Sequence, residues 1–249
     1  MGRLNGKTAF ITGAGGGIGQ AICKRFVEEG ACVAAIDINL ASATAAIAGL
    51  DASRTMALRC DASDPEDVQA AIAQVVKTFG VLNVICNVAG GSTPADNCVT
   101  EAPIEEFWRA IKLDLFGTFL SCKYGLPELI KAGGGSVINM SSMAALVAIP
   151  ERDCYTAAKG GVSALTRSMA AHYARYGIRI NAIAPSVTTT PRVSARLEVS
   201  EALRNMEATH LLGFLEPIDV AQMAVFLASN ESAKVTGQIL AVDSGVTIV

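Results

Sequence analysis

A short apolar run at residues 7–12 ends in a glycine cluster, Thr12-Gly13-Ala14-Gly15-Gly16-Gly17-Ile18-Gly19, and leads straight into apolar residues at helical spacing over 18–29. No other feature constrains the fold as strongly. Glycine lets the backbone turn sharply and removes the Cβ that would hold a phosphate at a distance. The helix that follows points its first amides and its positive dipole end at the space above the turn. An ordinary strand–helix turn can also be glycine-rich, so the cluster takes its meaning from its place after the first strand.

The rest of the chain keeps that rhythm. Further β-rich runs lie at 31–37, 55–61, 82–87, 136–139, 179–184 and 238–242. Helical patterns lie at 18–29, stopping at Gly30, at 65–79, closed by Gly80, and at 104–131, 155–176 and 217–229. Such alternation predicts βαβ units with right-handed crossovers. The expected fold is α/β: a single-domain Rossmann fold over residues 1–249, with a doubly wound, parallel, seven-stranded sheet and helices on both faces. A hydrophobic fraction of 51% against 17% charged supplies the core that a two-sided sheet needs. Only 186–216 breaks the rhythm, as a long segment without a strand. An insertion near the carboxyl ends of strands is where a substrate lid sits.

Composition narrows the partners. The net charge of −3 provides no basic field for nucleic acid. Residues 1–7 lack an apolar signal core, and no apolar run approaches the roughly 18 residues of a membrane span. The seven cysteines include no Cys-x-x-Cys pair, which argues against a disulfide framework or a zinc site and fits a cytoplasmic, reducing location. His172 and His210 have no partner at metal spacing, so no metal is expected. His172 suits an exposed helix side, and His210 lies in the lid where it can reach substrate. Phe107, Trp108 and Phe116 suit core or interface packing, and Cys154 suits a place at the cleft.

Two further constellations suggest chemistry. Asp37 ends the second β-rich run, where a carboxylate accepts hydrogen bonds from the ribose hydroxyls of NAD and repels the extra phosphate of NADP. No lysine or arginine lies within the glycine turn, and Ile38 and Asn39 follow the acid, so the expected cofactor is NAD. Tyr155 and Lys159, four apart, share a helix face. A free tyrosine titrates at about 10, and a nearby ammonium favours the phenolate. Tyr155 can then exchange a proton with a substrate oxygen that Ser142 positions. Tyr-x-x-x-Lys alone is common, and a tyrosine packed on a lysine stem is the plain alternative. The combination with the glycine turn points to hydride transfer between a nicotinamide and a secondary alcohol or ketone.

Taken in order, these residues resemble the short-chain dehydrogenase/reductase family over essentially the whole chain. The matching set is the 12–19 turn, Asp61-Ala62, Asn87-Val88-Ala89-Gly90, Ser142, Tyr155 with Lys159, Asn181 before Pro185, Thr190, and Thr236-Gly237 before Asp243. The resemblance implies cofactor contacts from Gly13, Gly17, Ile18, Gly19, Asp37, Asp61, Ala62, Asn87, Ala89, Gly90, Pro185, Thr188 and Thr190. Tyr155 and Lys159 would meet the same cofactor. It implies a homotetramer, or a homodimer, packed through the two long helices. Three residues depart from the family pattern. Asp114 stands where an asparagine relay residue is usual, as a fourth catalytic candidate. Its carbonyl can keep the relay, or its side chain can add negative charge beside Lys159. Ser186 and Ser244 stand where glycines are usual, and Ser186 is expected to reduce backbone freedom.

Substrate selection is expected from 91–97, 143–154 and the lid. Met143, Leu146, Val147 and Ile149 would form an apolar wall. Arg152, with Arg196 or another of the lid arginines Arg192 and Arg204, can clamp an anionic group. The alternative is pairing of these arginines by Glu151, Asp153, Glu198, Glu201 and Glu207 as a solvated face. Two other functions compete with the alcohol reading: reduction of a 3-oxoacyl thioester, and a non-catalytic dinucleotide sensor or scaffold.

Overall fold

A computed structural model describes residues 2–249; Met1 of the amino-terminal segment lies outside the described residues. Seven strands form one parallel sheet: β1 (Thr8–Thr12), β2 (Cys32–Asp37), β3 (Thr55–Arg59), β4 (Val84–Asn87), β5 (Gly135–Met140), β6 (Ile178–Pro185) and β7 (Ile239–Val242). Their spatial order is β3-β2-β1-β4-β5-β6-β7. The order reverses between β1 and β4, and the crevice at such a switch point is where open α/β sheets bind ligands.

The strands are apolar on both faces because both faces are covered. Phe10, Ala34, Ile36, Ile85 and Val137 face one layer, while Ala9, Ile11, Val33, Ala35 and Ile138 face the other. The nine helices of the described residues begin with α1 (Gly17–Glu28), α2 (Leu40–Ala46) and α3 (Pro65–Phe79). They continue with α4 (Ile104–Ala110), α5 (Gly117–Lys131), α6 (Asp153–Tyr173), α7 (Pro191–Val199), α8 (Glu201–Asn205) and α9 (Pro217–Ala228). Helices α1 and α9 supply Ile22, Phe26, Val220 and Val225 to one core. Helices α3, α5 and α6 supply Val68, Ile72, Leu126 and Met169 to the other.

The glycine turn is needed as drawn. Gly13 has φ +64°, in the left-handed region, and a Cβ there would strike the Ala89 backbone. A Cβ on Gly19 would strike the Gly13 carbonyl, so α1 packs directly on the turn that precedes it.

The structure differs from the sequence reading in three places. Helix α2 was not expected, because an alanine-rich run shows no apolar stripe. Asn39 starts it by accepting from the Ala41 and Ser42 amides. The expected helix over 104–131 contains a π-helical turn at Ile111–Phe116. Of the two serines, Ser244 has φ +55° and Ser186 does not have a positive φ; Glu151, at φ +60°, is the other non-glycine residue in the left-handed region among the described residues.

One cap comes from far away in sequence. The residue before α6, Arg152, offers no side-chain cap. Asp96, buried in the loop after β4, accepts from the Cys154 amide at 3.1 Å and the Tyr155 amide at 3.0 Å. A carboxylate at a helix start satisfies its free amides and meets its dipole. Loss of such a cap costs about 0.5–2 kcal/mol, or a fall in Tm of roughly 2–6 °C in a chain of this size. Asp96→Ala should show that fall in a thermal melt and Asp96→Asn should recover part of it; equal melting of all three proteins would refute the cap.

Candidate active site

A cleft of about 760 Å³ opens over the carboxyl ends of the strands. The turn after β1 brings Gly13, Gly17, Ile18 and Gly19 to it, and the end of β2 brings Asp37. Asp61 and Ala62 arrive after β3, Ala89 and Gly90 after β4, and Ser142 and Met143 after β5. Pro185, Thr188 and Thr190 arrive after β6, with Tyr155 and Lys159 from α6. Residues far apart in sequence converge because parallel strands end on one side.

Ser142, Tyr155 and Lys159 all line this cleft. Ser142 is buried, extended, and accepts from the Ala144 amide at 3.2 Å. The Lys159 ammonium lies 5.5 Å from the centroid of the Tyr155 ring. It donates to the Met140 carbonyl at 2.8 Å and pairs with Asp114 Oδ1 at 2.9 Å. Burial opposes the Lys159 charge, but the carboxylate of Asp114 and the proximity of Tyr155 hold its pKa above the ordinary lysine value.

Asp114 is fully buried within the π-helical turn and lies outside the cleft lining. Its carbonyl accepts the Thr118 hydroxyl at 2.8 Å. Its Oδ1 also accepts the Gly91 amide at 2.8 Å, and Arg109 Nη1 stands 4.0 Å from Oδ2. Arg109 in turn donates to the Gly91 carbonyl at 3.0 Å and pairs with buried Glu106. Alternating charges therefore run Glu106, Arg109, Asp114, Lys159 beneath the site. Sequence reading found only the last two, because nothing in the spacing of Glu106 and Arg109 marks them.

At the opposite end, Asp37 Oδ2 accepts the Gly15 amide and Oδ1 the Asn39 amide, both at 3.0 Å. Burial works against the Asp61 charge, but the Ser63 hydroxyl and amide hold its pKa below the usual carboxylate range. No lysine or arginine of the described lining lies beside these two acids; its four cations are Arg152, Lys159, Arg192 and Arg196.

Several expected residues are elsewhere. Asn87 turns into the core, donating to Asn139 Oδ1 at 2.9 Å, so only its neighbours reach the cleft. Leu146 and Val147 lie outside the lining, leaving Met143 and Ile149 as the wall. Cys154 is buried rather than at the cleft, and desolvation raises its thiol pKa. His210 is buried within the lid and off the cleft lining, bonded to the Met206 carbonyl at 2.7 Å and edge-on to Phe214. Arg204 binds the Leu197 and Glu198 carbonyls away from the cleft. Phe107, Trp108 and Phe116 are solvent-exposed, not core. The proposed pairing of Arg152, Arg192 and Arg196 with nearby acids is absent among the described residues; Asp153 instead accepts the Val99 amide.

No three His, Cys, Asp or Glu side chains of the described residues form a metal-binding group, and no described helix is long and apolar enough to cross a membrane. Residues 13–247 match the family model described as Enoyl-(Acyl carrier protein) reductase. The chain is 37% identical over 252 residues to a 2,5-dichloro-2,5-cyclohexadiene-1,4-diol dehydrogenase of Sphingobium indicum, covering 100% of both chains. It is also 37% identical to a cyclohexanol dehydrogenase of an Acinetobacter species, covering 98% of this chain and 96% of that one. A solved short-chain type dehydrogenase/reductase from Mycobacterium ulcerans superposes with a TM-score of 0.93 at 28% identity, covering 98% of this chain and 91% of that one. With the glycine turn, the Ser142–Tyr155–Lys159 group and the sheet order all in place, the chain belongs to the short-chain dehydrogenase/reductase family and is a nicotinamide-dependent oxidoreductase.

Proposed function

We propose that the protein uses NAD and that Tyr155, Ser142 and Lys159 carry the proton side of its reaction. The reaction is the interconversion of a secondary alcohol and a ketone. One observation carries the assignment of roles: the Tyr155 ring lies over the Lys159 ammonium in the cleft that also holds the glycine turn.

The cleft fits a dinucleotide. Backbone at Gly13, Gly17, Ile18 and Gly19 would face the pyrophosphate, at the start of α1. A Cβ on Gly17 would run into Thr190, so the turn and the lid base leave only a narrow track. Asp37 would accept from the adenosine ribose, with Asp61 and Ala62 at the adenine and Ala89 and Gly90 along the adenosine side. Lys159 would hold the other ribose, and Pro185, Thr188 and Thr190 would meet the carboxamide. The carboxylate of Asp37 favours NAD over NADP, and the cations nearest this end, Arg59 and Lys112, lie outside the cleft lining. When bound, NAD accepts or supplies the hydride.

The chain's own groups do the rest. The Tyr155 hydroxyl takes or gives the proton at the substrate oxygen, and the Ser142 hydroxyl holds that oxygen in place. The Lys159 ammonium stands beside the Tyr155 ring. Asp114 is a positioning residue: it holds Lys159 and the Gly91 backbone at once. A 3-oxoacyl-thioester reductase remains the second reading, but such enzymes more often use NADPH, which Asp37 disfavours. We assign the assembly as a homotetramer, or a homodimer, with support from exposed Phe107, Trp108, Phe116 and Phe119 on the 104–131 helix. Seven unpaired cysteines support a cytoplasmic location.

Initial rates of NADH and NADPH formation across secondary alcohols test the cofactor assignment. NAD should win by at least tenfold, Asp37→Asn should narrow the gap, and a preference for NADP would refute it. Tyr155→Phe should reduce kcat by about a thousandfold or more while NADH still binds by fluorescence titration. Near-normal turnover would remove Tyr155 from its role. Asp114→Asn keeps an acceptor for the Gly91 amide and deletes the charge facing Lys159. The pH–rate profile for oxidation should move, because Asp114 holds the Lys159 charge against burial; an unmoved profile would show that the carboxylate does not tune the site.

A further inference from the structure

Three guanidinium groups stand at the substrate end of the cleft without a carboxylate among the described residues. Five arginines elsewhere pair with acids, Arg3 and Arg25 with Glu29, Arg54 with Asp51, Arg59 with Asp67 and Arg109 with Glu106, while Arg175, Arg179 and Arg204 bond to neutral groups outside the cleft. Arg152, Arg192 and Arg196 have no such partner, yet all three line the cleft. Arg152 Nη1 donates to the Asp96 and Glu151 carbonyls, at 2.9 and 3.0 Å. Arg196 Nη1 reaches the Ser92 hydroxyl at 3.4 Å. Arg192 lies flat against Gly91, where a Cβ would collide with it. These contacts give Arg152 and Arg196 neutral acceptors at one Nη each. A guanidinium carries five donors.

Like charges in a half-buried cleft repel, and nothing in the fold obliges the chain to gather them. Desolvation, then the charges of Arg152 and Arg192, hold the Arg196 pKa below its ordinary value. Glu151 also lines the cleft mouth, but it makes no ion pair with any of the three. Asp96 spends both carboxylate oxygens on the start of α6. The remaining acids of the lining, Asp37 and Asp61, are at the far end. The same lining includes apolar Met143, Ile149, Leu203 and Met206.

We infer that Arg152 and Arg196, flanked by Arg192, form a binding site for an anionic group on the substrate. The substrate is then a small secondary alcohol carrying a carboxylate or sulfonate on a short apolar stem. A guanidinium binds either group through two parallel hydrogen bonds. The inference rests on the dehydrogenase reading only for the position of the reacting carbon beside Tyr155. The one competing source of anion is the pyrophosphate of the cofactor, and the test separates them.

The probe is ethanesulfonate, added to the NADH-loaded protein and followed by thermal unfolding against potassium chloride at equal ionic strength. Ethanesulfonate should raise Tm beyond the salt control. Arg196→Ala and Arg152→Ala should each weaken that binding about tenfold or more, with Arg196→Lys intermediate. In turnover, ethanesulfonate should compete with the alcohol and not with NAD. Both variants should raise KM for 3-hydroxybutyrate at least tenfold more than KM for 2-butanol, its uncharged counterpart. No stabilisation over chloride, equal KM effects, or competition with NAD would each overturn the inference. The unfolding arm needs no turnover, so a protein that bound ethanesulfonate but oxidised no alcohol would defeat the dehydrogenase reading and leave the anion site standing.

Discussion

The contact between Lys159 and Asp114 ties the working parts of this molecule together. Both side chains are almost wholly removed from water, which is costly for two charges unless every remaining valence is met. The Met140 carbonyl, the Gly91 amide and the nearby Arg109 do much of that. The pair therefore joins the end of β5, the loop after β4, the π-helical turn before α5, and α6. Removing one partner of such a pair leaves a buried charge uncompensated, at about 3–5 kcal/mol. The arrangement under Tyr155 is thus held by electrostatics as well as by packing.

The cleft is divided by charge. Two carboxylates stand at the ends of β2 and β3, while Lys159 of α6, Arg152 before it and the two lid arginines stand at the other end, with Glu151 the one acid among them. A dinucleotide has a ribose to offer hydroxyl donors at one end and a reacting carbon at the other. The division matches that polarity without a metal or a basic patch. Asp96 links the two parts, since its carboxylate caps the helix that carries Tyr155 and its carbonyl accepts from Arg152.

Much of the architecture was legible in the chain. The sheet's seven apolar runs, the glycine turn and Pro65–Phe79 could be read because backbone geometry and two-sided burial leave local marks. Helix α2 could not, since its helical state depends on a cap from Asn39 and on packing of Ala43 and Ala46, not on an apolar stripe. Asn87 shows the limit at the site. Its place after β4 is visible in sequence, but the direction of its amide, into Asn139 and the core, is set by a neighbouring strand. Cys154 and Leu146 fail in the same way, as neighbours in sequence of cleft residues that point elsewhere.

The sequence alone determined the order of strands and helices, the phosphate turn, the acid at the end of β2 and the Ser142, Tyr155 and Lys159 positions. These follow from local geometry, from residue spacing along one helix, or from a motif that occupies consecutive positions. Only the tertiary structure decided which charges meet. Asp114 faces Lys159 across 45 residues, Asp96 caps a helix 58 residues away, and three arginines are left without acids although five lie nearby in sequence. Pairing of charges depends on side-chain direction in three dimensions, and sequence proximity does not encode it.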